Sequence, residues 1–87
     1  MKLHILNTTA SLNLCLSSLE KGDSLLLIED AVVVAADGEI SARLALNLYA
    51  LADDLDRRGI KPQAGVNRID YAAFVDLCAS HQHCLSW

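Results

Sequence analysis

The run from Ser24 to Ile28 is the feature of this 87-residue chain that most constrains its fold. After its first residue the run is continuously apolar, and it carries no charge. Strict alternation of apolar and polar residues would place one side of a strand in water, whereas an uninterrupted apolar run is typical of a strand covered on both faces in a parallel sheet. We therefore predict that this segment is the central strand of such a sheet.

The chain before this run predicts a strand followed by a helix. The strand covers Lys2 to Asn7, and the helix runs to about Lys21, where Gly22 supplies a left-handed C-terminal cap. Apolar residues recur at positions i, i+3, i+4 and i+7 of this helix, which gives it one inward face. The members of this face are Leu12, Cys15, Leu16 and Leu19, and the candidates for the N-cap are Thr8, Thr9 and Ser11.

The chain after the central strand predicts a short helix, a third strand and another short helix. The first of these helices covers Glu29 to Ala36 and ends at a turn formed by Asp37-Gly38. The third strand covers Arg43 to Leu51, because leucines alternate with other residues there. The next helix covers Asp53 to Arg58, acidic at its start and basic at its end as the helix dipole favours, and Gly59 closes it.

The last third of the chain predicts two further strands around a helix. Val66 to Ile69 is a fourth strand, Asp70 caps the last helix, and Cys84 to Ser86 is a short final strand. The last helix carries Phe74, Leu77 and Cys78 on one face. The alternation predicts an α/β fold, a three-layer α/β/α sandwich with a mostly parallel central sheet of about five strands, and a single domain over residues 1–87.

Charge and hydropathy exclude several classes of function. Seven Lys and Arg residues against eleven Asp and Glu residues give a net charge of −4, which is the wrong sign for neutralising phosphates, so we expect no direct contact with nucleic acid. The apolar runs are far shorter than the roughly 20 residues of a transmembrane helix, and the N-terminal segment is too short for a signal peptide, so we expect no membrane association and a cytoplasmic protein. A hydrophobic content of 53% in so small a chain predicts that some apolar surface faces a partner.

The three cysteines, Cys15, Cys78 and Cys84, are expected to be free thiols, because an odd number without a secretory signal does not suggest a disulfide framework. Cys78 and Cys84 are too far apart in the chain for a Cys-x-x-Cys redox pair. With His81 and His83 they could ligate zinc, but their spacing matches none of the recurrent patterns, so we expect no metal. The four glycines are scattered and form no phosphate-binding loop, so we expect no nucleotide cofactor.

Cys15 has two interpretations. A thiolate near a helix N-terminus is stabilised by the positive end of the helix and could carry a persulfide. Its place between Leu12, Leu16 and Leu19 is instead that of a buried and inert cysteine, and the spacing favours this second interpretation. Likewise, the charged residues from Asp53 to Arg58 indicate a solvated helix rather than a catalytic acid–base set, because no nucleophile accompanies them.

Several short stretches, taken in their order and separation, cover nearly the whole length of the chain. They are Leu3-His4, Leu25-Leu26-Leu27, Asp30, Val32, Tyr49-Ala50-Leu51, Asp54-Leu55, Arg58-Gly59, Ile69-Asp70-Tyr71, Phe74-Val75, Leu77 and Ser86-Trp87. Together these stretches resemble the TusB/DsrH family. One departure is Ala31, where the family usually has Gly after the Asp, and this bears on the local turn geometry.

The resemblance implies a place in a heterohexameric sulfurtransferase complex, beside TusC-like and TusD-like subunits or beside DsrF-like and DsrE-like ones. In the Tus branch, persulfide sulfur held on the TusD-type subunit passes through TusE towards 2-thiouridine formation at the tRNA wobble position. In the Dsr branch, related subunits handle sulfur during sulfur oxidation. The short loop after the second strand and Ser86-Trp87 look more like the Tus members, so tRNA thiolation is the role we expect.

The resemblance also bears on catalysis. The reactive cysteine of TusD-type subunits lies on a mid-chain loop, and this chain has no cysteine between Cys15 and Cys78. We therefore expect an assembly subunit rather than a complete enzyme. Some family members carry a cysteine in the first helix, seven residues before its closing glycine, and Cys15 with Gly22 has this spacing. Cys15 is thus the candidate catalytic residue, as a persulfide carrier, and a stand-alone homo-oligomeric regulator is the third hypothesis.

Overall fold

The computed structural model describes residues 1–44 and 47–87, which form an α/β structure around a parallel sheet. The strands are β1 (Lys2–Leu6), β2 (Ser24–Leu27), β3 (Leu48–Leu51), β4 (Asn67–Ile69) and β5 (His83–Ser86). They lie in the order β4-β3-β2-β1-β5, and each neighbouring pair is parallel. The α/β fold with a parallel sheet is therefore confirmed, with β2 at its centre as predicted.

Helical segments connect the strands. They are α1 (Leu12–Ser18), which follows a 3-10 turn at Thr9–Ser11, α2 (Gly38–Leu44), which follows a 3-10 helix at Glu29–Ala36, then α3 (Ala52–Arg58) and α4 (Tyr71–Ala79). The helix predicted after β2 is present in 3-10 form. Within residues 1–44 and 47–87, every helix is too short or too polar to cross a membrane.

The strand order determines which face of the sheet each helix covers. The chain steps from β1 through β2 and β3 to β4 in one direction, and then returns past β1 to β5. Because crossovers between parallel strands are right-handed, the return places α4 on the face opposite to α1, α2 and α3. We name the two sides of the sheet by their residues. The closed face carries Leu6, Leu25, Leu27, Leu48 and Ala50, and the open face carries Leu3, Leu26, Tyr49, Leu51 and Ile69.

The closed face holds the main hydrophobic core. All four residues of β2 are buried, and its register places Leu25 beside Leu48 and Leu27 beside Ala50. Full burial of one such leucine contributes about 1.5–3 kcal/mol relative to exposure. The helical layer on this side adds Cys15, Ala31, Val32, Val34, Ala35 and Leu55 to the same buried cluster.

The first helix is shorter than predicted, and Gly22 does not cap it. α1 ends at Ser18, after which Leu19 is extended, with φ −69° and ψ 132°. The Ser17 and Ser18 hydroxyls both donate to the Leu14 carbonyl oxygen at 2.9 Å, and such local bonds compete with continuation of a helix. Gly22 has a φ of 90° in the turn before β2, where a left-handed conformation is still required.

The third strand is also shorter than predicted. It covers Leu48–Leu51, whereas Arg43 and Leu44, the first residues of the predicted strand, belong to α2. The predicted strand positions Ala45 and Leu46 lie outside the described residues. Ile40 and Leu44, four residues apart, pack against the closed-face core, and this helical spacing prevails over the alternation of leucines.

Asp37-Gly38 begins a helix instead of forming a turn. The Asp37 Oδ1 atom accepts hydrogen bonds from the backbone N–H groups of Glu39 and Ile40 at 2.9 and 3.2 Å. An aspartate in this position satisfies donors that the first turn of a helix leaves free. The Asp37-Gly38 pair that was predicted to form a turn thus provides the N-cap of α2.

The end of the chain follows the prediction closely. Gly59 caps α3 in the left-handed conformation with a φ of 63°, and the Asp70 Oδ1 atom accepts the Ala73 N–H at 2.8 Å at the start of α4. The strands β4 and β5 begin within one residue of their predicted starts. Local capping chemistry therefore gave reliable boundaries in this part of the chain.

Candidate functional site

Cys15, the candidate persulfide carrier, is fully buried in α1. Leu12 and Leu16 pack beside it against the closed-face core. Burial raises the pKa of the Cys15 thiol to about 11, so its reactive thiolate is a minor species at neutral pH. This environment supports the packing interpretation, and a sulfur-carrying role of Cys15 stays a prediction.

Cys78 and Cys84 lie close together in space, although their separation in sequence does not match a Cys-x-x-Cys redox pair. Cys78 is half-buried in the last turn of α4, and Cys84 is exposed on β5. The Cys84 Sγ atom lies 3.8 Å from the Cys78 carbonyl oxygen. Burial raises the pKa of the Cys78 thiol, and the neighbouring Cys84 thiol raises it further. Both are free thiols, so this edge of the sheet carries a dithiol.

The nearby histidines do not join these cysteines in a metal site. The His81 Nδ1 atom lies 2.8 Å from the Leu77 carbonyl oxygen, so Nδ1 carries a proton and donates it to that oxygen. His83 is exposed on β5. In the part of the chain that the structure describes, no three metal-binding side chains are grouped to hold an ion.

Asp54 departs from the solvated helix that the sequence suggested. Its side chain is buried, and its Oδ2 atom accepts the backbone N–H of Glu29 at 2.7 Å. Glu29 has a φ of 50°, a left-handed conformation that costs a non-glycine residue about 1–3 kcal/mol. Asp54 therefore helps to hold the backbone just after β2 in a conformation that it would otherwise avoid.

Arg58 joins Asp54 to the same loop. Its Nε and Nη2 atoms donate to the Asp30 Oδ1 atom at 3.2 and 2.7 Å, and its Nη1 atom lies 3.7 Å from the Asp54 Oδ1 atom. Asp30, Asp54 and Arg58 all belong to the stretches that carry the family resemblance. The network fixes the loop at the carboxyl ends of β2 and β3, and it contains no nucleophile, so its chemistry is structural.

A second polar network lies buried on the closed face around His4. The His4 Nδ1 atom accepts a hydrogen bond from Trp87 Nε1 at 3.1 Å, and its Nε2 atom lies 3.0 Å from Asp23 Oδ2. Because Nδ1 is an acceptor, a neutral His4 carries its proton on Nε2 and donates it to Asp23. The Trp87 ring also stacks on His4, with ring centroids 6.0 Å apart.

Asp23 is the acceptor at the centre of this network. Besides His4, it accepts the backbone N–H groups of Lys2 at 2.8 Å and Glu20 at 3.0 Å. Burial would raise the pKa of Asp23, but these two donors, followed by His4, outweigh it and lower the pKa to about 2. The network ties β1, the turn before β2 and Trp87 together, and it is enclosed rather than open to a substrate.

The open face is covered incompletely by α4. None of the helix residues is buried, and Tyr71 and Val75 are 54% and 67% exposed. Between α4 and strands β3 and β4 lies a groove of about 340 Å³. Its lining is mostly apolar and consists of Tyr49, Ile69, Ala73, Asp76, Leu77 and Ser80. Large apolar side chains left in water on the outer side of a helix are typical of a surface that binds another protein.

These observations define a class of protein, a compact α/β chain with a parallel sheet, a buried first-helix cysteine and an apolar face left partly uncovered. A family model described as DsrH like protein matches residues 7–84. The chain is 39% identical to Protein TusB of Pectobacterium parmentieri, over 98% of this chain and 99% of that protein. It is 42% identical to Protein TusB of Pectobacterium atrosepticum, over 90% and 88% of the two chains, and 38% identical to Protein TusB of Klebsiella pneumoniae, over 98% and 99%.

The chain therefore belongs to the DsrH/TusB family. The match of the family model covers most of the chain, and the relatives are of nearly the same length. The family resemblance inferred from short stretches such as Tyr49-Ala50-Leu51 and Asp54-Leu55 is confirmed.

Three features of these sites escaped prediction from the sequence. The burial of Asp54 had no sequence signal, since Asp53 and Asp56 beside it are exposed. The burial of His4 had a weak one, because His4 is a polar residue between the apolar residues Leu3 and Ile5 of β1. The proximity of Cys78 and Cys84 depends on the short turn between α4 and β5, whose geometry the spacing of the two cysteines does not indicate.

Proposed function

We propose that this chain is a TusB-like subunit of a cytoplasmic sulfur-relay complex, and that it contributes a docking surface rather than the reactive thiol. Its partners are TusC-like and TusD-like chains in a heterohexamer. The assembled complex supports persulfide transfer for 2-thiouridine formation at the tRNA wobble position. The proposal rests on membership of the DsrH/TusB family together with the partly uncovered open face.

The open face carries the proposal because α4, the helix that covers it, leaves large apolar residues of its own exposed within the described chain. Tyr71 and Val75 are exposed on the outer side of α4, because the helix residues that line the groove, such as Leu77, occupy the opposite side of the helix. A stable protein–protein interface needs about 800 Å² on each partner, with apolar anchors at its centre. We assign α4 and its groove as the centre of the surface that meets a partner subunit.

The state of Cys15 supports a scaffold rather than a carrier. A persulfide carrier has to exchange sulfur with a donor and an acceptor, and this requires an accessible thiolate. Cys15 is fully buried, with its pKa raised to about 11 by burial. The net charge of −4 further favours an arrangement in which other subunits of the complex contact the tRNA.

Paired substitutions on two helices test the docking surface. Val75 on α4 and Leu14 on α1 are almost equally exposed, at 67% and 66%. With partner chains co-expressed, Val75→Glu is expected to weaken assembly by about 10- to 100-fold, because a desolvated charge at the centre of an interface costs several kcal/mol. Leu14→Glu, on the opposite side of the sheet, is expected to leave assembly unchanged. Affinity is measured by titration of the purified partner complex.

The control for this experiment is the stability of both variants as isolated chains, which should match that of the parent. Equal affinities for Val75→Glu and the parent would contradict the assignment of α4. Formation of a complex with DsrF-like and DsrE-like chains alone, with normal 2-thiouridine levels after gene deletion, would favour sulfur oxidation instead. A stable homo-oligomer that ignores all of these chains would favour a stand-alone regulator.

A further inference from the structure

Two cysteines meet at one edge of the sheet, away from Cys15. Cys84 lies on β5, an edge strand, and its register partner is Leu3, a residue of the open face. Cys84 therefore faces the side of the sheet on which α4 lies. Its Sγ atom is 3.8 Å from the carbonyl oxygen of Cys78, six positions earlier in the chain. The fold thus places two free thiols together at a position that solvent can reach.

We propose that Cys78 and Cys84 form a reversible dithiol–disulfide site that reacts with low-molecular-weight disulfides. The site is separate from the proposed assembly function, and it requires no partner subunit. Its two states would be a reduced form, with both thiols free, and an oxidised form in which one covalent bond joins the end of α4 to β5. A disulfide needs the two cysteines at close range, and the 3.8 Å contact between the Cys84 Sγ atom and the Cys78 carbonyl oxygen brings them to that range.

The reaction consists of two exchange steps that balance. The Cys84 thiolate attacks one sulfur of the small disulfide, the S–S bond breaks, and the first thiolate leaves with the bonding electron pair. Cys78 then loses its proton to water and attacks the Cys84 sulfur of the mixed disulfide, which releases the second thiolate. The two protein thiols are oxidised by two electrons in total, and the small disulfide is reduced to two thiols.

The surroundings of the two thiols assign their order of reaction. Cys84 is exposed and meets the small disulfide first, whereas Cys78 is half-buried. Burial raises the pKa of Cys78, so this thiol stays protonated longer and acts in the second, intramolecular step. Cys15 is fully buried and serves as an internal control that should remain reduced.

The disulfide would join two segments, the end of α4 and β5, that are held by little packing. None of the residues of α4 or β5 is buried, so few apolar contacts fix the helix end to the edge strand. A covalent link between them restricts the unfolded and partly opened states of this segment. Oxidation is therefore expected to reduce amide hydrogen exchange at the end of α4.

The test treats the full chain with a series of glutathione disulfide to glutathione ratios and maps the products by mass spectrometry after non-reducing digestion. We expect the parent to lose two hydrogen atoms and to yield a linked pair of peptides containing Cys78 and Cys84. Cys78→Ser is expected to accumulate a glutathione adduct on Cys84, on the order of tenfold above the parent, because the second step is removed. Cys84→Ser is expected to react about tenfold more slowly than the parent.

Circular dichroism confirms that each variant is folded, and Cys78→Ala replaces Cys78→Ser if serine disturbs the last turn of α4. The proposal is overturned if the parent accumulates the same glutathione adduct as Cys78→Ser. It is equally overturned if the parent forms only links between two molecules, or if Cys84 stays reduced at every ratio.

Discussion

The two sides of the sheet have opposite relations to their helices. On the closed face the helical layer sends six apolar residues into the core, and Cys15 and Leu55 among them are fully buried. On the open face α4 buries none of its own residues, although Leu26 beneath it is fully buried. The sheet is thus apolar on both sides, whereas within the described chain only the helical layer on the closed face has buried residues of its own.

This difference separates stability from function. The closed face, with its enclosed His4 network, has the density of contacts that holds a small domain together. The open face has large apolar residues in water, a groove and a dithiol, which contribute little to folding and are free to meet other molecules. We therefore expect substitutions in the closed-face core to change unfolding free energies most, and substitutions of the exposed residues of α4 and β5 to change assembly or reactivity.

The largest expected effect on the free energy of unfolding comes from replacing a leucine by alanine on the closed face, and the same replacement on α4 is its comparison. Leu27→Ala removes a fully buried side chain from β2 and should lower the free energy of unfolding by about 3–5 kcal/mol. Leu77→Ala, on the half-buried side of α4, should cost about 1–2 kcal/mol, because less apolar surface is lost from its packing. Urea unfolding of the isolated chain measures both values. Equal losses at the two positions would mean that α4 packs as tightly as the closed-face layer.

A smaller effect is expected when the buried polar network of the closed face is disrupted. Asp23→Asn keeps the size of the side chain but turns one acceptor into an amide donor facing the Glu20 N–H and the His4 Nε2–H. We expect a loss of about 2–4 kcal/mol at neutral pH from the unpaired donors. The matched control on the surface is Asp76→Asn in the open-face groove, which should remain within about 0.5 kcal/mol of the parent.

The same network predicts how stability depends on pH. The folded pKa of Asp23 is about 2, below its ordinary value of 3.8, so its contribution is complete above pH 4 and is lost as pH falls towards 2. The amount lost should be about 1–2 kcal/mol. Consequently the gap in unfolding free energy between the parent and Asp23→Asn should narrow across this range. A gap that stays constant down to pH 2 would mean that Asp23 titrates normally in the folded chain.

Features that are determined by neighbouring residues were predicted from the sequence, whereas features that are determined by tertiary packing were not. The continuous apolar run of β2 and the caps at Gly59 and Asp70 act over a few residues, and these features were predicted correctly. The predicted strand from Arg43 to Leu51 was wrong over its first residues because a pattern of leucines suits both a strand and a helix, and tertiary packing selected the helix.

The candidate sites depend on contacts between residues that are far apart in the sequence, whereas the ends of helices and strands depend mostly on neighbouring residues. The burial of Asp54 is set by a bond to Glu29, 25 positions away in the chain, and the buried His4 meets Trp87, 83 positions away. Neither distance leaves a periodic signal in the sequence. The apolar position of Cys15, by contrast, follows from helical spacing alone, and its burial agrees with the favoured interpretation of that spacing.

Replacement of a cysteine by serine should also affect stability differently on the two faces. Cys15→Ser places a hydroxyl in the closed-face core and should cost about 1–3 kcal/mol if the hydroxyl finds no acceptor. Cys84→Ser on exposed β5 should cost less than about 0.5 kcal/mol. Thermal or urea unfolding of both isolated variants gives these values.

The functional measurement on Cys15→Ser then separates packing from sulfur transfer. If the chain acts as a scaffold, the variant should still assemble with TusC-like and TusD-like partners and keep most of the 2-thiouridine level, because the loss in stability is offset by binding to the partners. Deletion of the whole gene should abolish thiolation. A variant that assembles normally, is as stable as the parent and yet gives no 2-thiouridine could not be explained by packing. Since the remaining difference would be the thiol itself, Cys15 would then have to carry sulfur, and the closed face would have to open for it to react.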